Sequence, residues 1–298
     1  MSDPSASPSQ GFFRSGTVAV VTDSTACVPP ELAESMGIRV VQQQLHIGDQ
    51  DDAGYEDEAR VPRERILGAL RRKESVTTSA PDSGAFFWTY ADAAAAGASA
   101  VVSLHISSRM SDTCAAAREA AAQAPIPVQV LDSGTLGMSL GFAVLSAARV
   151  AASGAELGQV LAIAGVRIAR STELLHVESL DYLRRGGRIG AAAHLIGSAF
   201  AVKPMLTVRH GQVAPLERTV GTDRALRRLV DKAARLAEGQ AVDLAVEHTG
   251  ADERAERVLD ALRRRVSDVG QLVSVSVTSI ITAHVGPGAM GITISPAV

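Results

Sequence analysis

The chain has 298 residues, 46% of them hydrophobic, enough for two domains with real cores, and its net charge of −3 gives no reason to expect nucleic acid. Aromatic residues make up only 3%, too few for a base-stacking surface, and the basic runs Arg71-Arg72-Lys73, Arg227-Arg228 and Arg263-Arg264-Arg265 lie far apart in helical patterns, as solvated faces do. Two cysteines, Cys27 and Cys114, cannot build a metal cluster, and both are expected to be reduced.

Residues 1–16 are rich in Ser and Pro, without the basic start or apolar core of a signal peptide, and are expected to be a disordered tail. The weakly polar stretch Ile189 to Val202 contains His194 and is shorter than the roughly 18 apolar residues a membrane span requires, so a cytoplasmic protein without membrane insertion is expected. From Thr17 strand and helix signals alternate. Val18-Ala19-Val20-Val21 reads as a buried strand, Pro29-Pro30 opens a helix that Gly37 closes, and Ile38-Arg39-Val40-Val41 starts a second strand, a βαβ unit. After an acidic loop come helices near Pro62 to Arg72 and from Ser83 to Ala96. The strand Val101 to Ile106 then enters a hydroxyl-rich turn and an Ala-rich helix. Val128 to Leu131 and a long helix from about Leu136 to Ala152 complete an N-terminal α/β domain, 17–154, with a parallel sheet covered on both faces.

A second domain, 155–298, opens with a helix from about Ala155 to Arg170 and the strand Leu174 to Val177. Met205 to Val208 and Val213 to Glu217 read as a hairpin around His210-Gly211-Gln212, with strands at Asp243 to Glu247, Leu272 to Val277 and Met290 to Ser295 and helices at Asp223 to Ala237 and Ala251 to Val266. A hairpin among βα repeats predicts a mixed sheet with its helices mainly on one side.

The informative residues cluster at strand ends: Thr22-Asp23-Ser24, Thr77-Thr78-Ser79, Ser107-Ser108 and Asp132-Ser133-Gly134. All are expected along the carboxyl edge of the parallel sheet, where open α/β sheets bind ligands. Ser111 stands where the next helix begins, so unpaired N–H groups and the helix dipole favour a small anion there, though an N-cap serine has the same appearance. Arg188 follows Gly186-Gly187, and His284 is expected to end a strand before Gly286-Pro287-Gly288. Two motif matches fail. Gly286 to Gly291 spells GxGxxG with only seven residues after it, too few for a dinucleotide unit. Asp49 to Gly54 lacks a calcium ligand at Ala53 and has Arg60 where the bidentate Glu belongs. No HExxH motif occurs.

Val20-Val21-Thr22-Asp23-Ser24, Thr78-Ser79-Ala80-Pro81, Ser107 to Thr113, Asp132-Ser133, Leu183 to Ile189, Lys203-Pro204 and His284 to Gly288 follow one another in the order and spacing of the DegV family, which the chain resembles from Val18 to its end. The resemblance implies a parallel-sheet α/β/α domain, a two-layer α/β domain with a six-stranded mixed sheet, and one long-chain fatty acid between them. It further implies a carrier that presents the acyl carboxylate to a separate fatty acid kinase catalytic subunit, with no cofactor of its own. Carried over residue by residue, the carboxylate contacts fall on Thr78 and Ser111, with Arg188 and His284 in the surrounding network. Ala80 stands where Gln is usual, Asp112 where Gly is usual and Val285 where Thr is common; Asp112 is expected to turn outward and cap its helix. Ala191 to Ile196 and Ala199 to Val202 are candidate tunnel walls. The alternative reading is a hydrolase or transferase using Ser111 and His284, for which no orienting acid stands at a recognisable spacing.

Overall fold

The structure, a computed structural model, describes residues 17–48, 55–195 and 202–297. The expected tail 1–16, the acidic loop 49–54 and most of the second tunnel segment fall outside the described residues. β1 (Thr17–Asp23) leads through α1 (Pro30–Ser35) to β2 (Arg39–Val41), the expected βαβ unit. Next come β3 (Gln44–Ile47), β4 (Glu56–Asp57), α2 (Arg63–Arg71) and β5 (Val76–Ser79). The chain then alternates α3 (Ser83–Ala95), β6 (Ala98–His105), α4 (Thr113–Ala121), β7 (Val128–Asp132), α5 (Gly137–Ala152) and α6 (Leu157–Arg170).

The first sheet has the order β2-β1-β6-β7 and is parallel throughout. Both faces of β6 are buried from Ala100 onward, which is why that stretch reads as an unbroken apolar run. The small antiparallel sheet β4-β3-β5 is not predicted by the sequence, because strands of two to four residues show no readable alternation. Leu45 anchors it against Val61, Ile66, Leu70 and Ile280.

The second domain contains β8 (Thr172–His176), α7 (Asp181–Arg185), a 3-10 turn at Gly190–Leu195, and the hairpin β9 (Val202–Arg209) and β10 (Gln212–Val220). It continues with α8 (Thr222–Ala237), β11 (Val242–His248), α9 (Asp252–Arg265), β12 (Val269–Ser276), α10 (Ser279–Val285) and β13 (Met290–Pro296). Its six-stranded sheet, β10-β9-β8-β13-β11-β12, is mixed, with β11 and β12 parallel and the remaining pairs antiparallel.

Helices α8 and α9 cover one face of this sheet, where Leu229, Val230 and Leu262 meet Leu174, Leu244, Val246 and Ile292. Period-2 alternation sends Glu173, Asp243, Glu247 and Thr293 to the opposite face, yet all four are buried. They are covered by α5 and α6. Helix α5 packs on β1 on one side and on β8, β11 and β13 on the other, and is therefore apolar almost all round. Through it Val18, Val102 and Leu104 of the first domain share a core with Leu206, Ala245 and Val275 of the second. Arg167 of α6, fully buried, pairs with Asp243 of β11 and lies 5.3 Å from the Phe142 ring centroid.

Candidate functional site

A cavity lies between the two domains. Its walls include Ile106, Met110, Leu175, Val208, Ile281 and Val285, and the same cavity touches Thr78, Ser111, Arg188 and His284. The four residues singled out in the sequence thus converge from four separate segments. Two of them arrive by routes other than those expected. Thr78 belongs to β5 of the small antiparallel sheet, not to the carboxyl edge of the parallel one. His284 lies in helix α10 rather than at a strand end, because Glu58 Oε1 accepts the N–H of Ile280 at 3.0 Å and starts a helix there.

Thr78 Oγ1 and His284 Nε2 are 2.8 Å apart. His284 Nδ1 is buried without a hydrogen-bond partner among the described residues, so a proton placed on it would be stranded. We therefore assign the proton to Nε2, which donates to Thr78 and leaves the Thr78 hydroxyl proton free for a ligand. Burial, and then the Arg188 guanidinium, lower the His284 pKa to about 4, so the ring is neutral at physiological pH. A Cβ on Gly186 would lie 2.2 Å from His284 Nδ1, so only glycine fits there. Arg188 donates through Nη1 to Gly186 O at 2.8 Å and through Nε to Met110 O at 2.9 Å, tying the turn of one domain to the loop of the other.

The Ser111 hydroxyl is supported in the same way. Gln43 Nε2 donates to Thr113 Oγ1 at 2.8 Å and to Asp23 Oδ1 at 3.2 Å, and Thr113 Oγ1 is 2.8 Å from Ser111 Oγ. Gln43 occupies one lone pair of Thr113 Oγ1, and a Thr113 proton given to Ser111 would leave the Ser111 proton free for a ligand. Asp23, Gln43 and Thr113 are all buried. Burial opposes ionisation of Asp23, but bonds from His105, Thr25 and the Ile106 N–H outweigh it and hold the carboxyl below its usual range. The Asp112 side chain is exposed and so turns outward, but it makes no capping bond; the first turn of α4 uses its carbonyl instead.

Two of the four strand-end clusters are structural. Asp132 accepts from Ser108 and from the Gly134 N–H, and Ser107 Oγ donates to Gly211 O at 2.7 Å, docking the β9–β10 hairpin. A buried Asp23–His105–Ser103 relay, with contacts of 3.0 and 2.7 Å, has the acid, imidazole and hydroxyl of a hydrolase. Ser103 is nevertheless fully buried beneath the Tyr90 hydroxyl and does not line the cavity, so the relay braces β1 against β6. Gln43, Thr113 and the buried role of Asp23 escaped the sequence reading; a Gln-Gln-Gln run and a helix-start Thr carry no distinguishing signal. No helix among the described residues is long and apolar enough to cross a membrane.

A family model described as "Uncharacterised protein, DegV family" matches residues 17–297. A DegV domain-containing protein of Streptomyces coelicolor is 42% identical over 278 residues, covering 93% of this chain and 98% of that one. One from Mycobacterium tuberculosis is 33% identical over 279 residues, covering 93% and 96%. Among solved structures, a fatty-acid-binding DegV family protein from Thermus thermophilus superposes with a TM-score of 0.88 at 27% identity, covering 94% of this chain and 100% of that one. DegV of Bacillus subtilis, described as a fatty acid binding protein, gives 0.85 at 28% identity, covering 95% and 100%. With the family match running through both domains and the cavity between them, this chain belongs to the DegV family.

Proposed function

We propose that this chain binds one long-chain fatty acid in the cavity between its domains and presents the carboxylate to a separate fatty acid kinase catalytic subunit. The carboxylate would bond to Thr78 and Ser111, with Arg188 and His284 in the surrounding network. The observation that carries this reading is one largely apolar cavity with two hydroxyls and a guanidinium gathered on its wall. A carboxylate leaves water only where several donors converge, and charge-assisted bonds are the strong ones. Burying about 14 methylenes at about 0.8 kcal/mol each contributes on the order of 11 kcal/mol gross, so the tail supplies affinity and the head group orientation. The fatty-acid-binding descriptions of the Thermus and Bacillus proteins support the same ligand class.

The sequence has no GxxxxGK[ST] loop, which is why the phosphoryl donor is assigned to another protein. Native mass spectrometry of freshly purified protein should show one co-purifying acyl chain. With the cognate kinase subunit, ATP, Mg²⁺ and a long-chain acid, hydroxylamine should trap an acyl hydroxamate. Absence of product would remove the kinase role, and ester turnover by a lipid-free chain would favour the hydrolase reading.

A further inference from the structure

Head-group binding leaves one part of the cavity wall unexplained. Glu173 of β8 and Glu247 of β11, only 7% and 4% exposed, line the same cavity as Thr78 and Ser111 but belong to a different hydrogen-bond network. Ser139 Oγ donates to Glu173 Oε2 at 2.9 Å, and the Met138 N–H donates to Glu247 Oε1 at 2.8 Å. Thr293 Oγ1 lies 2.5 Å from Glu173 Oε2 and 2.8 Å from Glu247 Oε2. A hydroxyl has one proton, so it serves one of these two contacts, and the other needs a proton from a carboxyl. The pair therefore shares one proton. Burial pushes both carboxyls up, and the charge of Glu247 pushes Glu173 further, so Glu173 is the neutral member. Glu247 accepts the Met138 N–H at the N-terminus of α5, where the helix dipole favours negative charge and opposes the effect of burial. Two glycines make room for the carboxyls: a Cβ at Gly137 would lie 2.4 Å from Glu247 Oε1, and one at Gly291 3.1 Å from Glu173 Oε1.

The shared proton is spent within the pair and Thr293, so what the carboxyls offer to whatever lies against them is spare acceptor lone pairs. A plain hydrocarbon tail and a ketone bring no proton to them, and a second carboxylate would add charge to a pair that already sheds it. A hydroxyl brings that proton, and a hydroxyl buried without partners is strongly disfavoured. We propose that Glu173 and Glu247 form a second polar station of the fatty-acid site, recognising a hydroxyl carried on the acyl chain, so that hydroxylated long-chain acids are the preferred ligands. This rests on the fatty-acid reading above.

The test is a titration of the delipidated full chain with hexadecanoic acid and its monohydroxy isomers, the hydroxyl being walked along the chain. A narrow range of positions should bind at least about tenfold tighter than the parent acid, the effect of one well-made bond to a charged group. Glu173→Leu should bring that ratio to about one while leaving the parent acid bound, and Glu173→Gln, which keeps size and hydrogen-bonding capacity, should retain part of it. If Glu173→Leu does not fold, the wild-type isomer profile and Glu173→Gln decide. No isomer tighter than the parent, or a preference that survives unchanged in a folded Glu173→Leu protein, would overturn the second station. Failure of every acid to bind, the parent included, would instead remove the fatty-acid reading on which it rests.

Discussion

At Thr78 and Ser111 the same device appears twice: a hydroxyl on the cavity wall is held from behind by a hydrogen-bond partner, His284 for the one and Thr113 for the other. Removing either donor from a bound carboxylate should cost about 1–3 kcal/mol, so Thr78→Val and Ser111→Ala should each bind fatty acid roughly 5- to 150-fold more weakly with the fold intact. Calorimetric titration measures this, and unchanged affinity in both would move the carboxylate elsewhere. His284 supplies a pH-dependent signature. In the free protein its pKa is about 4, below the ordinary value, so it stays neutral down to about that pH. A bound carboxylate nearby favours the protonated ring and should raise the pKa; by linkage, anion affinity is flat above the bound-state pKa and rises as pH falls from there toward about 4. An NMR titration of the imidazole with and without ligand reads the shift directly, and identical curves would place the carboxylate out of reach of His284. Much of this was legible: hydroxyls at a helix start and an arginine beside paired glycines stand out in a sequence. The support behind them was not, because Gln43 meets Thr113 across 70 residues and neither looks unusual where it stands.

Among the elements, the strands of the second sheet show both what alternation reveals and where it misleads. Met290-Gly291-Ile292-Thr293-Ile294 has a clear period of two, and its apolar members do pack under α8 and α9. The polar members would ordinarily face water, but α5 and α6 lie over them, so Thr293, Glu173, Glu247 and Asp243 are buried and satisfied by one another and by Ser139 and Arg167. The apolar circumference of α5 was the available sign that both its sides are covered. The Arg167–Asp243 pair makes the arrangement testable. Breaking a buried ion pair strands a charge, so Asp243→Ala should lose about 3–5 kcal/mol, whereas replacing both partners together, Arg167→Met with Asp243→Leu, should cost much less. Denaturant unfolding of the singles and the double closes the cycle, and a double no better than Asp243→Ala would show that α6 is held by packing instead.

For the whole molecule, the fold class followed from the alternation of strands and helices, but the way the domains meet did not, since the joining contacts link residues far apart in sequence. Arg188 bonds to Met110 O, Thr78 meets His284, Ser107 and Arg109 hold the Gly211 and His210 carbonyls, and Glu58 accepts from Ile280. Each pair has one partner in each domain, and the cavity lies among them. A ligand in that cavity adds contacts to both domains and none to the unfolded chain, so it should stabilise by RT ln(1 + [L]/Kd), about 2.7 kcal/mol at a hundredfold excess over Kd. Removing the fatty acid should therefore lower Tm by several degrees, and re-addition should restore it. The loss should also be local. Amide exchange should quicken around 107–111, 186–188 and 279–285, while Leu244 and Ile292, deep under α8 and α9, keep their protection because no ligand contact supports that layer. Hydrogen exchange with mass spectrometry compares the two states segment by segment. Uniform quickening throughout would mean that the ligand holds up the global fold and not the junction, and no change at all would mean that the domains are already locked without it.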